Sequence, residues 1–371
     1  MDRLQALRCE LKAYFVERDA IIDGALAGLI AGEHVLLLGP VGTAKSLLAR
    51  VLCERIEGAT YFGWLLTKFS TPEELFGPVS LRGLEADEFR RITADKLPTA
   101  HIAFLDEVFK ANSAILNSLL ALLNERVYHN GREAQKTPLL TLFAASNELP
   151  EEGELAALYD RFLLRFELDY IADDDAFIGM LELPEILSGQ TTLGLTDLRA
   201  LQARRGDVKV PESLLRDLAD LRARLNVQEL EVSDRRYRKS IEVLRAYAVL
   251  DGRDRVSSRD LEHLGHLLWN DPEDRPLVLA AIDAVIGRFE VAASDLEAKA
   301  EQQRNYALRY WPTEGERMSA SVESLAKLRR LIGKAETLVE TTENRDDDSH
   351  ARVVKARDRV AEILEAVLAS V

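Results

Sequence analysis

In GPVGTAKS, Gly39 to Ser46, a lysine and a hydroxyl stand side by side at the end of a glycine-bearing loop. An ammonium there can reach the outer oxygens of a nucleotide, and a hydroxyl can ligate a divalent cation. Gly39, Pro40, Val41, Gly42, Thr43 and Ala44 offer backbone N–H groups that can curl around phosphate before Lys45 and Ser46. The loop follows the apolar run HVLLLG and opens the helix-like SLLARVLCERI, whose first turn includes Leu47, so an anion would meet a helix N-terminus. Ala44 replaces the glycine expected before the lysine. Alanine is tolerated there if the residue has the helical φ/ψ of a first turn. The plainer alternative is a strand-to-helix turn with no ligand.

Further along, HIAFLDEV puts Asp106 and Glu107 at the end of an apolar strand, where side chains reach the crevice at the carboxyl edge of a sheet. One carboxylate can hold a magnesium ion and the other can orient and polarise water. Asn147, ending FAASNE, can position that water or cap the next turn. ALYDRFLLRFEL reads as placing Arg161 and Arg165 one helical turn apart, where a cation could serve a neighbouring subunit's γ-phosphate. In SDRRYRKS, Ser233 is a good N-cap, yet Arg235, Arg236, Arg238 and Lys239 crowd the first turns against the helix dipole. A bound phosphate would reverse the sign of that effect; a solvated basic patch is the plainer reading.

The elements that must position these residues follow from periodicity. Leu4, Leu7, Leu11 and Phe15 recur at helical spacing, and DAIIDGALAGLIAGE is a second helix before HVLLLG. HIAFLDE and LLTLFAASNE are short and strand-like; SAILNSLLALLNER between them is helical, with Ile115, Leu119, Leu122 and Leu123 on one face. This alternation argues for an α/β fold with a parallel sheet between helices. Two insertions interrupt it: 67–98, with FSTPEELFGPVSL, and RVYHNGREAQKTPLL, whose Asn130-Gly131 is a hairpin turn signal. After Arg165 the sheet-like runs stop. From Pro211 the pattern is helical, with Tyr237, Ile241, Leu244 and Ala248 in register, and 276–371 reads as three helices with breaks at 312–315 and at the acidic NRDDDS.

The 371 residues carry a formal net charge of -15, which disfavours non-specific nucleic-acid binding as the main task. Cys9 and Cys53 are the only cysteines, so neither a disulfide framework nor a cysteine metal cluster is expected. No signal peptide or membrane-spanning run is evident, and the expected compartment is the cytoplasm.

Together GPVGTAKS, HIAFLDEVFKANSAILNSLLALLNER, FAASNELP, ALYDRFLLR and VSDRRYRKSI, with STPEELFGP, resemble the MoxR family of AAA+ ATPases, in its RavA-like branch, from about Phe15 to Trp269. Alanine before the loop lysine is usual in that branch. The resemblance implies an AAA+ αβα core with a parallel sheet over 1–172, a helical lid over 173–275 and a C-terminal helical bundle or arm over 276–371. It implies ATP/ADP and Mg2+ as cofactors. Lys45 would contact the β- and γ-phosphates, Ser46 and Asp106 would hold magnesium, and Glu107 would act as the base-like residue. Asn147 would be sensor 1, Arg161 the finger acting in trans (with Arg165 the alternative) and Arg235 sensor 2 (with Arg236 the alternative). Residues from Val16 to Ile22 lie where the family packs against adenine. The two insertions match elements that project toward a ring pore or a partner. A homo-oligomer, in this family a hexamer, and a chaperone-like action on a von Willebrand A domain protein are further implications. The long RavA-type chains also carry a β-rich domain among their C-terminal helices, for which 276–371 has no room, so a partner bound through it is not carried over.

Beside this reading stand a nucleotide-gated scaffold with little turnover and a DNA-handling AAA+ motor, the latter opposed by the net charge. A GTPase is disfavoured by the lack of an Asn-Lys-x-Asp motif, and a small-molecule kinase by the lid arginines.

Overall fold

The computed structural model describes residues 2–150, 154–183, 191–343 and 349–370. The acidic turn expected between the last two helices lies outside the described residues, apart from Ser349, which begins the final helix.

Five strands form one sheet: β1 (His34–Leu38), β2 (Tyr61–Leu65), β3 (Ile102–Asp106), β4 (Thr141–Ser146) and β5 (Phe162–Glu167). Their order is β2-β3-β4-β1-β5 and every neighbouring pair is parallel. Every residue of β1 and β4 is buried, as expected of parallel strands covered on both faces. The carboxyl ends of β1, β3 and β4 share one edge, which gathers the loop after Leu38, Asp106 and the residue after Ser146. The α/β class expected from the alternation is what the chain forms.

Two strands depart from the sequence reading. β2 was not anticipated: it is an edge strand, alternately exposed, with Gly63 at its centre. β5 occupies FLLRFE, so Arg161 and Arg165 are not one helical turn apart. The helix Glu154–Tyr159 ends before them, and Arg165 lies inside the strand. A short run buried on both faces has no periodicity to separate strand from helix.

The first helix spans Asp2–Tyr14, and Leu4, Leu7, Leu11 and Phe15 are all buried. The helix Ser113–Glu125 buries Ile115, Leu119, Leu122 and Leu123, as its spacing predicts. The hairpin is present as Val127–Asn130 against Glu133–Lys136, but Asn130 pairs with Glu133, so the turn is Gly131-Arg132, one residue later than expected. The cause is tertiary. Gly131 has φ 66, and a Cβ there would stand 2.0 Å from the Phe89 carbonyl oxygen. Asn130, buried, accepts from the Arg91 N–H at 2.7 Å and donates to the Arg91 carbonyl at 3.0 Å. Arg90 adds an ion pair to Glu133 at 3.0 Å. Both insertions are therefore joined.

The chain divides into two compact units, the first of them residues up to Lys209 with Val232–Arg255 and His266–Pro272. The first includes the helix Asp234–Leu250, capped by the Ser233 hydroxyl, which accepts from the Arg236 N–H at 3.3 Å. In the second, helices Glu212–Val227 and Arg275–Ile286 precede Arg288–Leu308, Glu314–Thr342 and Ser349–Leu368. The predicted first helix is thus interrupted at Gly287. The last three helices share a core that includes Leu296, Ala300, Leu328, Ala335, Val360 and Ile363. Arg352 links Glu290 at 2.8 Å and Glu297 at 2.7 Å, and Arg288 pairs with buried Asp217 at 2.5 Å.

Candidate functional site

The loop after β1 is fixed at both ends. The Gly39 N–H donates to the Ser146 carbonyl at 3.1 Å. At φ 148 a Cβ on Gly39 would stand 2.1 Å from the Leu168 carbonyl oxygen, so only glycine fits. Ala44 does not have the first-turn conformation that would make it equivalent to glycine. Its φ of 62 and ψ of 21 are left-handed, and helical geometry starts at Lys45. The substitution therefore carries strain, which the surrounding loop holds: Thr43 Oγ1 donates to the Pro40 carbonyl at 3.0 Å and Tyr170 Oη to the Val41 carbonyl at 3.3 Å.

A cavity of about 910 Å³ is lined by Val41, Gly42, Thr43, Ala44, Lys45 and Ser46 together with Asp106, Glu107, Lys110 and Asn147. Lys45 Nζ donates to the Pro40 carbonyl at 2.8 Å and lies 3.5 Å from Asn147 Oδ1. Burial lowers the Lys45 pKa, against the pull of Asp106 and Glu107. Glu107 is also left-handed, at φ 52, which turns the chain sharply after β3. Its Oε1 accepts from Asn147 Nδ2 at 2.9 Å and its Oε2 pairs with Lys110 at 3.2 Å. Lys110 and this pairing were not foreseen; the spacing Glu-x-x-Lys was the available signal.

A second cavity, about 460 Å³, shares Gly42, Thr43 and Ala44 with the first. Val16 and Leu47 line it with Tyr14, Tyr170, Phe177 and Met180; Ile21 and Ile22 are buried in the following helix and do not. The aromatic and thioether neighbours suit a flat heterocycle.

These residues fit a magnesium nucleotide. Ser46 and Asp106 present a hydroxyl and a carboxylate to one cavity, hard oxygen donors of the kind Mg2+ takes alongside phosphate. Among the described residues no cluster of three or more His, Cys, Asp or Glu could hold a metal by itself.

The arginines lie elsewhere. Neither Arg161 nor Arg235 lines the cavity of Lys45 and Glu107. Both instead meet Asp160, at 3.5 Å for Arg161 and 2.6 Å for Arg235, which also donates to Asn124 Oδ1 at 3.2 Å. Their alternatives are embedded. Arg165 is 1% exposed, bonded to the Phe162, Tyr159 and Trp269 carbonyls, stacked on the Tyr159 ring and pushed down by burial to a pKa of about 10. Arg236 is 3% exposed, donates to the carbonyls of Phe162, Leu163 and Leu267, and has its pKa lowered by burial. Lys239 pairs with Glu33 at 2.7 Å. The crowded cations of SDRRYRKS thus include three with protein partners.

Among the described residues, no helix is long and apolar enough to cross a membrane. A family model described as the MoxR domain in MoxR-vWA-beta-propeller ternary systems matches residues 2–192, and one described as an AAA lid domain matches 213–282. An uncharacterised protein of Methanocaldococcus jannaschii is 43% identical over 290 residues, 78% of this chain and 76% of that protein. Chaperone MoxR1 of Mycobacterium tuberculosis is 28% identical over 171 residues, 45% of this chain and 44% of its own. The crystal structure of a candidate ATPase from Cytophaga hutchinsonii shares the fold, with a TM-score of 0.62 at 19% identity over 77% of this chain and 93% of that one.

Proposed function

Because the chain belongs to the MoxR family of AAA+ ATPases, we propose that it hydrolyses ATP to ADP with Mg2+ at sites completed between subunits of a hexameric ring, and that the cycle remodels or activates a protein carrying a von Willebrand A domain. The observation that carries this is the division of the machinery: Lys45, Ser46, Asp106, Glu107 and Asn147 share one cavity, whereas Arg161 and Arg235 stand outside it on Asp160. A cation that does not line its own cavity is available to a neighbour's.

Magnesium, held by Ser46 and Asp106, would supply charge neutralisation at the phosphates. Lys45 would exchange its loop carbonyls for phosphate oxygens. Glu107, oriented by the Asn147 amide at 2.9 Å, would take the proton of the attacking water. Tyr14, Val16, Leu47 and Phe177 would enclose the base. Burial of Arg165 and Arg236 supports Arg161 as the finger and Arg235 as sensor 2, since the side chains of these two stay partly exposed, at 24% and 37%. The von Willebrand A partner is supported by the family's description, and the RavA-like branch by Ala44 and STPEELFGP alone.

Steady-state ATP hydrolysis across protein concentration tests the reading, with Glu107→Gln and Arg161→Ala beside the wild type. Specific activity should climb with concentration and fall by roughly 10³-fold or more in both variants. Turnover that is flat with concentration and survives Arg161→Ala would remove the intersubunit site. Tight ATP binding without turnover in the wild type would favour a nucleotide-gated scaffold.

A further inference from the structure

We infer that Asp160 is a positioning residue that holds Arg161 and Arg235 together as one cationic pair for the phosphate bound by the adjacent subunit; this rests on the intersubunit reading above. A single oxygen, Asp160 Oδ2, lies 2.6 Å from Arg235 Nη1 and 3.5 Å from Arg161 Nη1. The other oxygen, Oδ1, lies 3.7 Å from Arg236 Nη1. Arg236 is fixed: it is 3% exposed and donates to the carbonyls of Leu163 at 2.9 Å and Phe162 at 3.1 Å. It therefore places a fixed charge beside one carboxylate oxygen, while the other lies between the two arginines that keep partial solvent access.

Three guanidinia around one carboxylate leave net positive charge. Two of them would separate by mutual repulsion without the shared oxygen. Three elements converge to build the bridge: the end of the helix Glu154–Tyr159, the helix Ser113–Glu125 through Asn124, and the start of Asp234–Leu250. Asp160 and Arg235 are 41% and 37% exposed, so their ion pair adds little to folding stability. Its effect falls on catalysis, because a cation aimed at developing charge loses its value when displaced by about 1 Å, on the order of 10²-fold in rate.

The test uses Asp160→Asn and Asp160→Glu in the full-length chain. Asp160→Asn should lower kcat by roughly 10- to 100-fold, with KM for ATP and the melting temperature close to wild type. Asp160→Glu, which keeps the charge, should recover part of the loss. Mixing supplies a second readout. Glu107→Gln subunits keep an intact arginine pair, and Asp160→Asn subunits keep an intact cavity, so mixed rings should turn over faster than either variant alone. The same mixing with Arg161→Ala reports on the intersubunit reading itself. Rescue of Arg161→Ala but not of Asp160→Asn would overturn the role of Asp160 alone. Rescue of neither would overturn both. Wild-type turnover in Asp160→Asn, or a loss matched by a lowered melting temperature, would also overturn it.

Discussion

At φ 62, Ala44 holds its methyl group where an L-residue costs roughly 1–2 kcal/mol. Glycine would remove that cost and return roughly 0.5–1 kcal/mol through its freer unfolded state. Ala44→Gly is therefore expected to raise the melting temperature by roughly 1–3 °C; a scan showing a fall would mean that the loop relaxes around alanine at no cost. The polar residues that share the larger cavity, from Lys45 to Asn147, were legible as residue types in order along the chain. The conformation of Ala44 was not, because the loop's anchors at Ser146 and Leu168 impose it from distant sequence. The same holds for choosing between arginines. Arg161 and Arg165 look alike in a sequence, and only β5 reveals that one of them is a core residue.

A strand start in the sheet gives a prediction about pH. His34, at the head of β1, is 2% exposed. Its Nδ1 accepts from the Leu142 N–H at 3.0 Å, so a proton added there would break that bond, and its Nε2 meets both the Leu123 carbonyl and the Arg126 guanidinium. Burial, with Arg126 alongside, holds its pKa well below 6.5. The sign follows from which state takes the proton. Above about pH 6.5 both states are neutral and the full stability is present. Below it the unfolded chain binds a proton that the folded chain refuses, so stability falls as pH drops, by up to about 1.4 kcal/mol per pH unit from this group. Denaturant titrations between pH 7 and 5 should show this slope and its loss in His34→Gln; equal slopes in both would assign it elsewhere. Elements with their own periodicity, such as Ser113–Glu125, were legible. β2 was hidden by Gly63 and an exposed edge, and the hairpin turn moved one residue because Asn130 is claimed by Arg91.

Over the whole chain, each compact unit is assembled from three separate segments, which no local pattern announces. The last three helices nonetheless fill their cores from one another, through Leu296, Leu328 and Val360 in one cluster and Phe289, Ala293, Val353 and Ala356 in the other. A chain ending at Arg288 keeps the guanidinium that pairs with buried Asp217. That truncated chain should still fold and bind ATP, as read by circular dichroism and a fluorescent nucleotide; lost binding would show that the removed helices support the nucleotide fold. The joint between the two insertions has a mechanical consequence. Two hydrogen bonds from one amide, with Arg90 on Glu133, tie hairpin to insert, so a push on the hairpin tip is expected to reach the insert as well as bend the hairpin. A chimaera that transplants either one from a relative must carry its counterpart, or the tie is lost.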